Sequence, residues 1–395
     1  MTSGGFSSKR LTRVRDLLER QVESGFVPGA LAVLARHGDV HVEATGALAF
    51  EGAGSRIPMA GDTIVRVSSM TKPIVAACAM TLVEDCTLRL DDPVDDLLPE
   101  LADMRVLTDP AGPLDDTVPA ARSITLRDLL TFTFGSGVVV GEPGTMPIAD
   151  ALALDDAPLD EWVGRLGALP LVHQPGERWL YQTGSVVTGA LIARATGMSF
   201  GEALQERVFG PLGMKDTGFS VSADRLDRMA TAYQRDNAPT GEAIVADEPD
   251  ATWSTPPAME DGGGGLVSTA DDYLAFGSAL LAGGVHRGER VLSRASVALM
   301  TSSQLTSAQR AVSGFWPGYF ATTSWGLGVG VVTDRTQLGP SAGSYGWNGF
   351  YGTTWYNDPA EDLTAIMILQ RAHAGNPALP VQKDFWTSVY QAIDD

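Results

Sequence analysis

The stretch Val67-Ser68-Ser69-Met70-Thr71-Lys72-Pro73 marks the junction between a strand and a buried helix. The residues running into it, Thr63 to Val67, are Thr-Ile-Val-Arg-Val, a β-branched run, whereas Ala76 to Val83 is apolar and rich in Ala and Met. Pro73 sets the register of the helix. A proline ring has no N–H and is tolerated in the first turn, where N–H groups lack intrahelical partners, so the helix starts at about Ser69 or Met70. Ser69 and Lys72 are then three residues apart on one face, where an ammonium reaches a hydroxyl and the helix dipole favours negative charge on Oγ. A serine becomes a useful nucleophile when a neighbour takes its proton, and a lysine can do so once burial brings its pKa toward neutrality. The chain has four lysines, and only Lys72 has a serine three residues upstream. Read alone, the same residues would equally make a helix cap and a solvated first-turn charge, so the remaining sequence has to decide.

The bulk properties narrow the field. A chain of 395 residues, 44% apolar and 19% charged, buries a substantial core as one large or two ordinary domains. Its formal charge of −20 repels nucleic acid and anionic membranes, so neither is expected as a partner. Residues Met1 to Arg20 contain no continuous apolar stretch and no small-residue cleavage site, and a cytoplasmic location is expected. Cys78 and Cys86 lie eight apart on one expected helix, more than about 10 Å along its axis, too far for a disulfide. Both are expected as reduced, buried thiols. No cysteine cluster and no phosphate-binding glycine motif is present, and neither a metal nor another cofactor is expected.

Along the chain, Arg10 to Ser24 has apolar residues at helical spacing and ends at Gly25. Gly29 to Ala35 and Val40 to Ala44 form a hairpin around His37-Gly38-Asp39, which leaves His37 and His41 facing solvent. Thr125 to Phe132 is a short helix capped by Thr125 with Asp128, and Gly141 to Pro158 reads as a long exposed loop. Helices are expected at Leu159 to Leu169, Ser185 to Thr196, Phe200 to Phe209 and Thr269 to Leu281. Past Arg235 a polar, Pro-rich stretch runs to Met259. Trp325 to Thr333, Gly352 to Tyr356 and Leu363 to Leu369 read as strands, followed by a closing helix from about Val381 to Ile393.

Two G-x-S-x-G patterns occur, and neither sits between a strand and a helix as a nucleophile elbow requires. Ser199 lies between two helices and forms an S-x-x-E capping box with Glu202, while Ser341 lies in a Pro/Gly loop. More informative is Gly176-Glu177-Arg178-Trp179-Leu180-Tyr181-Gln182-Thr183-Gly184, in which a tyrosine ends an extended run just before a helix. A third stretch, Gly343-Ser344-Tyr345-Gly346-Trp347-Asn348-Gly349-Phe350, leads into a strand. Glycines on an edge strand let a substrate carbonyl approach backbone N–H groups, which an oxyanion hole needs.

Together these three stretches resemble the serine β-lactamase and penicillin-binding-protein superfamily, most closely its class C β-lactamase-like esterases, the family VIII carboxylesterases. Ser69-Met70-Thr71-Lys72 matches S-x-x-K, Tyr181-Gln182-Thr183 stands at the Y-x-N box and Trp347-Asn348-Gly349 at the K-T-G box. Lesser similarities run through Ile124 to Thr131, Pro175-Gly176-Glu177, Gly210 to Met214 and Gly263 to Thr269, so the resemblance covers nearly the whole chain. Two departures matter. Thr183 replaces asparagine, and Trp347 replaces the lysine that meets the carboxylate of a β-lactam, a charge an indole cannot supply. Trp347 with Phe315, Trp316, Tyr319, Phe320 and Trp325 suggests an apolar pocket instead.

The resemblance implies an α+β, β-lactamase-like fold: an antiparallel sheet flanked by helices, built from residues 1–68 and 262–395, with a mainly helical lobe, 69–261, inserted. It implies a serine carboxylesterase acting on small or medium acyl esters through an acyl-enzyme on Ser69. Lys72 and Tyr181 would share proton transfer, and the N–H groups of Ser69 and Phe350 would hold the oxyanion. Which of Lys72 and Tyr181 is the base stays open, since they would titrate as a coupled pair. Trp347, Asn348, Gly349, Thr183, Phe134, Trp316 and Tyr319 are expected to contact a small-molecule ester. A β-lactamase, D-peptidase, amide hydrolase or acyltransferase, and more distantly a non-catalytic binding homologue, are the alternatives.

Overall fold

Strand β1 (Gly29–Arg36) is buried on both faces, which is why Gly-Ala-Leu-Ala-Val-Leu-Ala reads as an unbroken apolar run. The computed structural model describes residues 4–139, 146–154, 157–236 and 242–395. β1 turns back into β2 (Asp39–Gly46) at His37 and Gly38, whose φ values of 52° and 83° are those of a tight hairpin turn. His41 pairs with Glu43 at 2.9 Å, and His37 lies 3.6 Å from Asp395. On its other side β1 pairs with β7 (Leu363–Ile368), joining the two ends of the chain in one sheet. With β3 (Thr323–Trp325), β4 (Gly330–Val332), β5 (Tyr345–Asn348) and β6 (Thr354–Asp358), the antiparallel order is β3-β4-β5-β6-β7-β1-β2.

The two-residue periodicity of strands divides the core. Ala30, Ala32 and Leu34, with Ala365 and Met367, pack on helices α1 (Ser8–Glu23) and α5 (Pro380–Tyr390) through Leu17, Leu18 and Phe385. Leu31, Val33, Ile366 and Trp355 face the opposite way, toward α2 (Thr71–Glu84) and α4 (Ala270–Leu281). Each large side chain buried this way contributes roughly 1.5–3 kcal/mol before entropy is subtracted. Helix α2 has no solvent face to speak of: eleven of its 14 residues are buried. An all-round apolar helix has to lie inside, and α3 (Thr183–Thr196), equally apolar, packs along it. Among the described residues no helix is long and apolar enough to cross a membrane.

Several expectations need correcting. The run Trp325 to Thr333 is not one strand; it is broken between β3 and β4, where Gly328 turns with φ of 74°. β5 is an interior strand, not an edge strand, although its ladder with β4 stops at Gly346 and leaves Trp347 and Asn348 paired only to β6. Within 141–158, Pro147–Ala151 is a helix that starts on its proline and buries Ile148, while 141–145 and 155–156 lie outside the described residues. The stretch after Arg235 contains a strand, Ala243–Asp247, paired with Ala232–Arg235. Phe200 to Phe209 is an α-helical turn and then a π-helical one, with Ser199 and Glu202 in the expected capping box. Cys78 is buried, but Cys86 is exposed beyond the end of α2.

Arg66, just before the Ser69 turn, is fully buried on the short strand Val65–Arg66, which pairs with Val267–Ser268. Its Nε donates to Asp247 Oδ2 at 2.7 Å, its Nη1 to the Ala230 carbonyl at 2.6 Å and its Nη2 to the Glu248 carbonyl at 3.0 Å. A buried guanidinium is tolerable only with its donors filled in this way. Asp247→Ala strands the cation and is expected to cost about 3–5 kcal/mol of stability in urea denaturation. A loss below about 1 kcal/mol would show that the pair is not structurally important.

Candidate active site

The chain reaches Ser69 through a kink. Ser68 has φ of 46°, a left-handed conformation that costs a non-glycine residue about 1–2 kcal/mol, and Ser68–Met70 form a 3-10 turn that feeds α2. Contacts from three directions hold it there. Val67 N–H donates to the Leu266 carbonyl at 3.1 Å, Tyr273 Oη donates to the Met70 carbonyl at 2.8 Å, and Thr353 Oγ1 donates to the Val67 carbonyl at 3.3 Å.

Lys72, one turn on, is fully buried. Its Nζ donates to Ser69 Oγ at 2.9 Å, to Gln182 Oε1 at 2.5 Å and to the Gly263 carbonyl, and lies 4.4 Å from the centre of the Tyr181 ring. Burial lowers its pKa to about 7, and the nearby negative charge of Asp261 keeps it from falling further. The three partners are not equivalent. The Gln182 and Gly263 oxygens can only accept, whereas Ser69 can also donate. When Lys72 loses a proton, its two remaining N–H groups satisfy the two carbonyls and its lone pair is left facing the Ser69 hydroxyl.

Tyr181 ends an extended segment tied to neighbouring backbone, its carbonyl accepting from Val138 N–H at 2.8 Å. Gln182, with φ of 84° and ψ of −67°, makes a strained γ-turn closed by a 3.2 Å bond from Thr183 N–H to the Tyr181 carbonyl. That turn starts α3 and swings the Gln182 amide onto Lys72. Tyr181 Oη accepts from Trp347 Nε1–H at 2.7 Å. Burial pushes the phenol well above its ordinary pKa, and hydrogen bonding to Ser69 and Trp347 opposes that push. Burial thus drives Lys72 and Tyr181 in opposite directions, and the lysine is the one of the two that exchanges its proton near pH 7, while the phenol keeps its own.

The structure brings Ser69, Lys72, Tyr181 and Trp347 together, and lays Gly349 on the Ser69 turn. A Cβ at Gly349 would sit 2.3 Å from the Val67 carbonyl and 2.1 Å from Thr353 Oγ1, so only glycine permits this approach. Among the described residues none accepts a hydrogen bond from the following Phe350 N–H. Asn348 is occupied with Thr354, its Oδ1 accepting from that hydroxyl, and Thr183 is buried at the start of α3. Trp316 is exposed on the lip of a cleft of about 460 Å³ that has Tyr181 in its wall, and Tyr319 stacks on Trp179 just beneath it. A larger hollow of about 910 Å³, beside Phe50 and Tyr233, contains none of these groups.

Phe134 is a correction: it is fully buried in the central core with Met70 and Ile74, and does not line the cleft. Sequence reasoning missed Gln182, Gly263, Asp261 and Trp179. Gln182 supplies the amide that Thr183 lacks, from one position earlier. Asp261 Oδ1 accepts from Gly263 N–H at 2.7 Å and so shapes the turn whose carbonyl meets Lys72. The signal for this turn is the glycine run 262–265, since a Cβ at Gly263 would lie 2.3 Å from Gln182 Nε2. Trp179 sits at the centre of the aromatic cluster, touching Phe132, Tyr181, Phe320 and Trp325.

Such a serine, primed by a buried lysine within an antiparallel sheet-and-helix frame, defines the class of S-x-x-K serine enzymes. The chain belongs to the Beta-lactamase family, whose model matches residues 14–382. It is 41% identical to Protein Rv1367c of Mycobacterium tuberculosis (strain ATCC 25618 / H37Rv), over 85% of this chain and 88% of that protein. It is 32% identical to Esterase EstB of Burkholderia gladioli, over 88% of this chain and 87% of EstB. The solved structure of EstCE1, a hydrolase with promiscuous acyltransferase activity, superimposes with a TM-score of 0.79 at 25% identity, covering 98% of this chain and 99% of that one. The fold is β-lactamase-like, and the protein falls among the serine hydrolases and acyltransferases of that superfamily.

The kink at Ser68 can be tested without touching the chemistry. Ser68→Gly is expected to raise stability by about 1 kcal/mol in urea denaturation, because glycine adopts positive φ without strain. A loss of that size would mean that the Ser68 side chain, and not the kink, is what matters there.

Proposed function

We propose that this protein is a serine carboxylesterase that cleaves esters of small or medium acyl groups through an acyl-enzyme on Ser69. The observation that carries this reading is the arrangement around Lys72, whose two carbonyl partners leave the serine as its only exchangeable one. Neutral Lys72 takes the Ser69 proton as Oγ attacks the ester carbonyl, and the N–H groups of Ser69 and Phe350 hold the oxyanion. As the intermediate collapses, Tyr181, hydrogen-bonded to Ser69, gives its phenolic proton to the departing alcohol and is left as a phenolate, its charge opposed by the Lys72 ammonium 4.4 Å from its ring centre. Water then attacks the acyl-enzyme with the same groups working in reverse.

The indole at Trp347 supports esters over β-lactams. It donates one neutral N–H to Tyr181 and presents no cation to a substrate carboxylate. The similarity to EstB, an esterase, agrees with this reading. The likeness to EstCE1, a hydrolase with promiscuous acyltransferase activity, supports transfer of the acyl group to an alcohol in place of water as the second reading. The proposal includes a cytoplasmic enzyme that needs no cofactor and takes a small-molecule ester, without nucleic-acid or membrane partners, in keeping with its charge of −20.

Ser69→Ala is expected to lower ester turnover by more than a hundredfold and to abolish labelling by a fluorophosphonate probe, with the fold intact by circular dichroism. Retained labelling would place the nucleophile elsewhere. The pH profile of kcat/KM tests the base. Because the active amine is neutral, the rate rises with pH through about 7, the pKa of Lys72. Removing the charge of Asp261 disfavours the ammonium, so Asp261→Asn is expected to move this acid limb to lower pH. An unmoved limb would rule out Lys72 as the group it reports.

A further inference from the structure

The cleft beside Tyr181 has mostly apolar walls, with Arg178, His173 and Ser313 among its polar side chains. Four exposed large apolar residues gather at it, Val138, Phe315, Val312 at 50% exposure and Trp316 at 49%, a clustering that marks a binding surface rather than scattered surface residues. Among the described residues no Asp or Glu lines the cleft, and Arg178 is its only Arg or Lys.

The Arg178 donors are poorly used. Its Nη1 reaches the Val312 carbonyl at 3.5 Å, its Nε stands 3.8 Å from Glu177 Oε1 in an exposed pair, and that Nε, itself buried, makes no hydrogen bond among the described residues. Elsewhere in the molecule Arg122, Arg127 and Arg194 each hold a carboxylate by two bonds of 2.6–2.8 Å. The adjacent Trp179 indole N–H, in the same wall, is also without a partner among the described residues. Two neighbouring donors with unfilled capacity suit an acidic group entering from the cleft.

Position decides which part of an ester this would be. Tyr181 protonates the departing alcohol in the mechanism above, and the same residue forms part of the cleft wall. The cleft therefore adjoins the alcohol side. Arg178 precedes Tyr181 by three residues and lines the same cleft, at most about 10 Å along the chain at roughly 3.3 Å per residue. We propose that the cleft binds the alcohol portion of the ester, and that Arg178 selects alcohols carrying a carboxylate at the far end of an apolar chain. This rests on Tyr181 serving as the leaving-group acid.

The test compares two butyrate esters of equal length, octyl butyrate and the butyrate ester of ω-hydroxyoctanoic acid, on wild type, Arg178→Met and Arg178→Lys. The wild type is expected to favour the carboxylated ester at least tenfold in kcat/KM, mainly through KM. Arg178→Met should bring that ratio to about one and Arg178→Lys should restore part of it. The ratio is internal to each variant, so a partly unfolded preparation does not distort it. Turnover of octyl butyrate with no preference for the carboxylate, or a preference that survives in Arg178→Met, would overturn the assignment of Arg178 while leaving the esterase reading standing. Failure of the wild type to cleave either ester would overturn both.

Discussion

A primary amine sealed away from water is the constraint around which this molecule is built. Lys72 is fully buried, and an ammonium in such a place is costly unless every N–H is matched. The fold supplies three acceptors from three parts of the chain: Ser69 from the turn before α2, Gln182 from the turn before α3, and Gly263 from the glycine run that leads toward α4. Two of the three are carbonyls, so the amine can be deprotonated in one direction only. Core packing and proton transfer are thus consequences of one enclosure, with the apolar surroundings lowering the pKa and the carbonyls aiming the lone pair.

Holding that geometry requires backbone that the chain would not choose by itself. Ser68 and Gln182 both have positive φ without being glycine, and they flank two groups that the proposed chemistry uses, Ser69 and Tyr181. Strain next to both is the pattern expected where surrounding structure fixes side chains for reaction. The support is visible in the buried Arg66–Asp247 pair just upstream and in the bond from Tyr273 to the Met70 carbonyl. Trp347 completes the arrangement by holding the phenol oxygen through a neutral donor, which orients Tyr181 without adding charge to the cleft.

The parts of this design that follow from local rules are legible in the sequence. Pro73 and the apolar run after it place α2 to within two residues, and the apolar, β-prone run of β1 reads as one arm of a hairpin. The S-x-x-K spacing needs only helical periodicity. What cannot be read depends on contacts across long separations. Gln182 lies 110 residues from Lys72, and its importance arises from a γ-turn that no propensity favours. Phe134 is expected at the pocket only from the resemblance, but the turn after Thr131 folds it into the core. The glycines of β5 suggest the open backbone of an edge strand; the opening comes instead from the early end of its ladder with β4.

The protonation state of Lys72 is the quantity on which the proposed attack by Ser69 rests, and it can be observed without substrate. With only four lysines in the chain, ¹⁵N-detected NMR of the side-chain amines, assigned with a Lys72→Arg variant, follows this one group directly. A titration midpoint near 7 is expected, with the neutral amine dominant at pH 8. A Lys72 that stays an ammonium up to the ordinary lysine range, around pH 10, would contradict it.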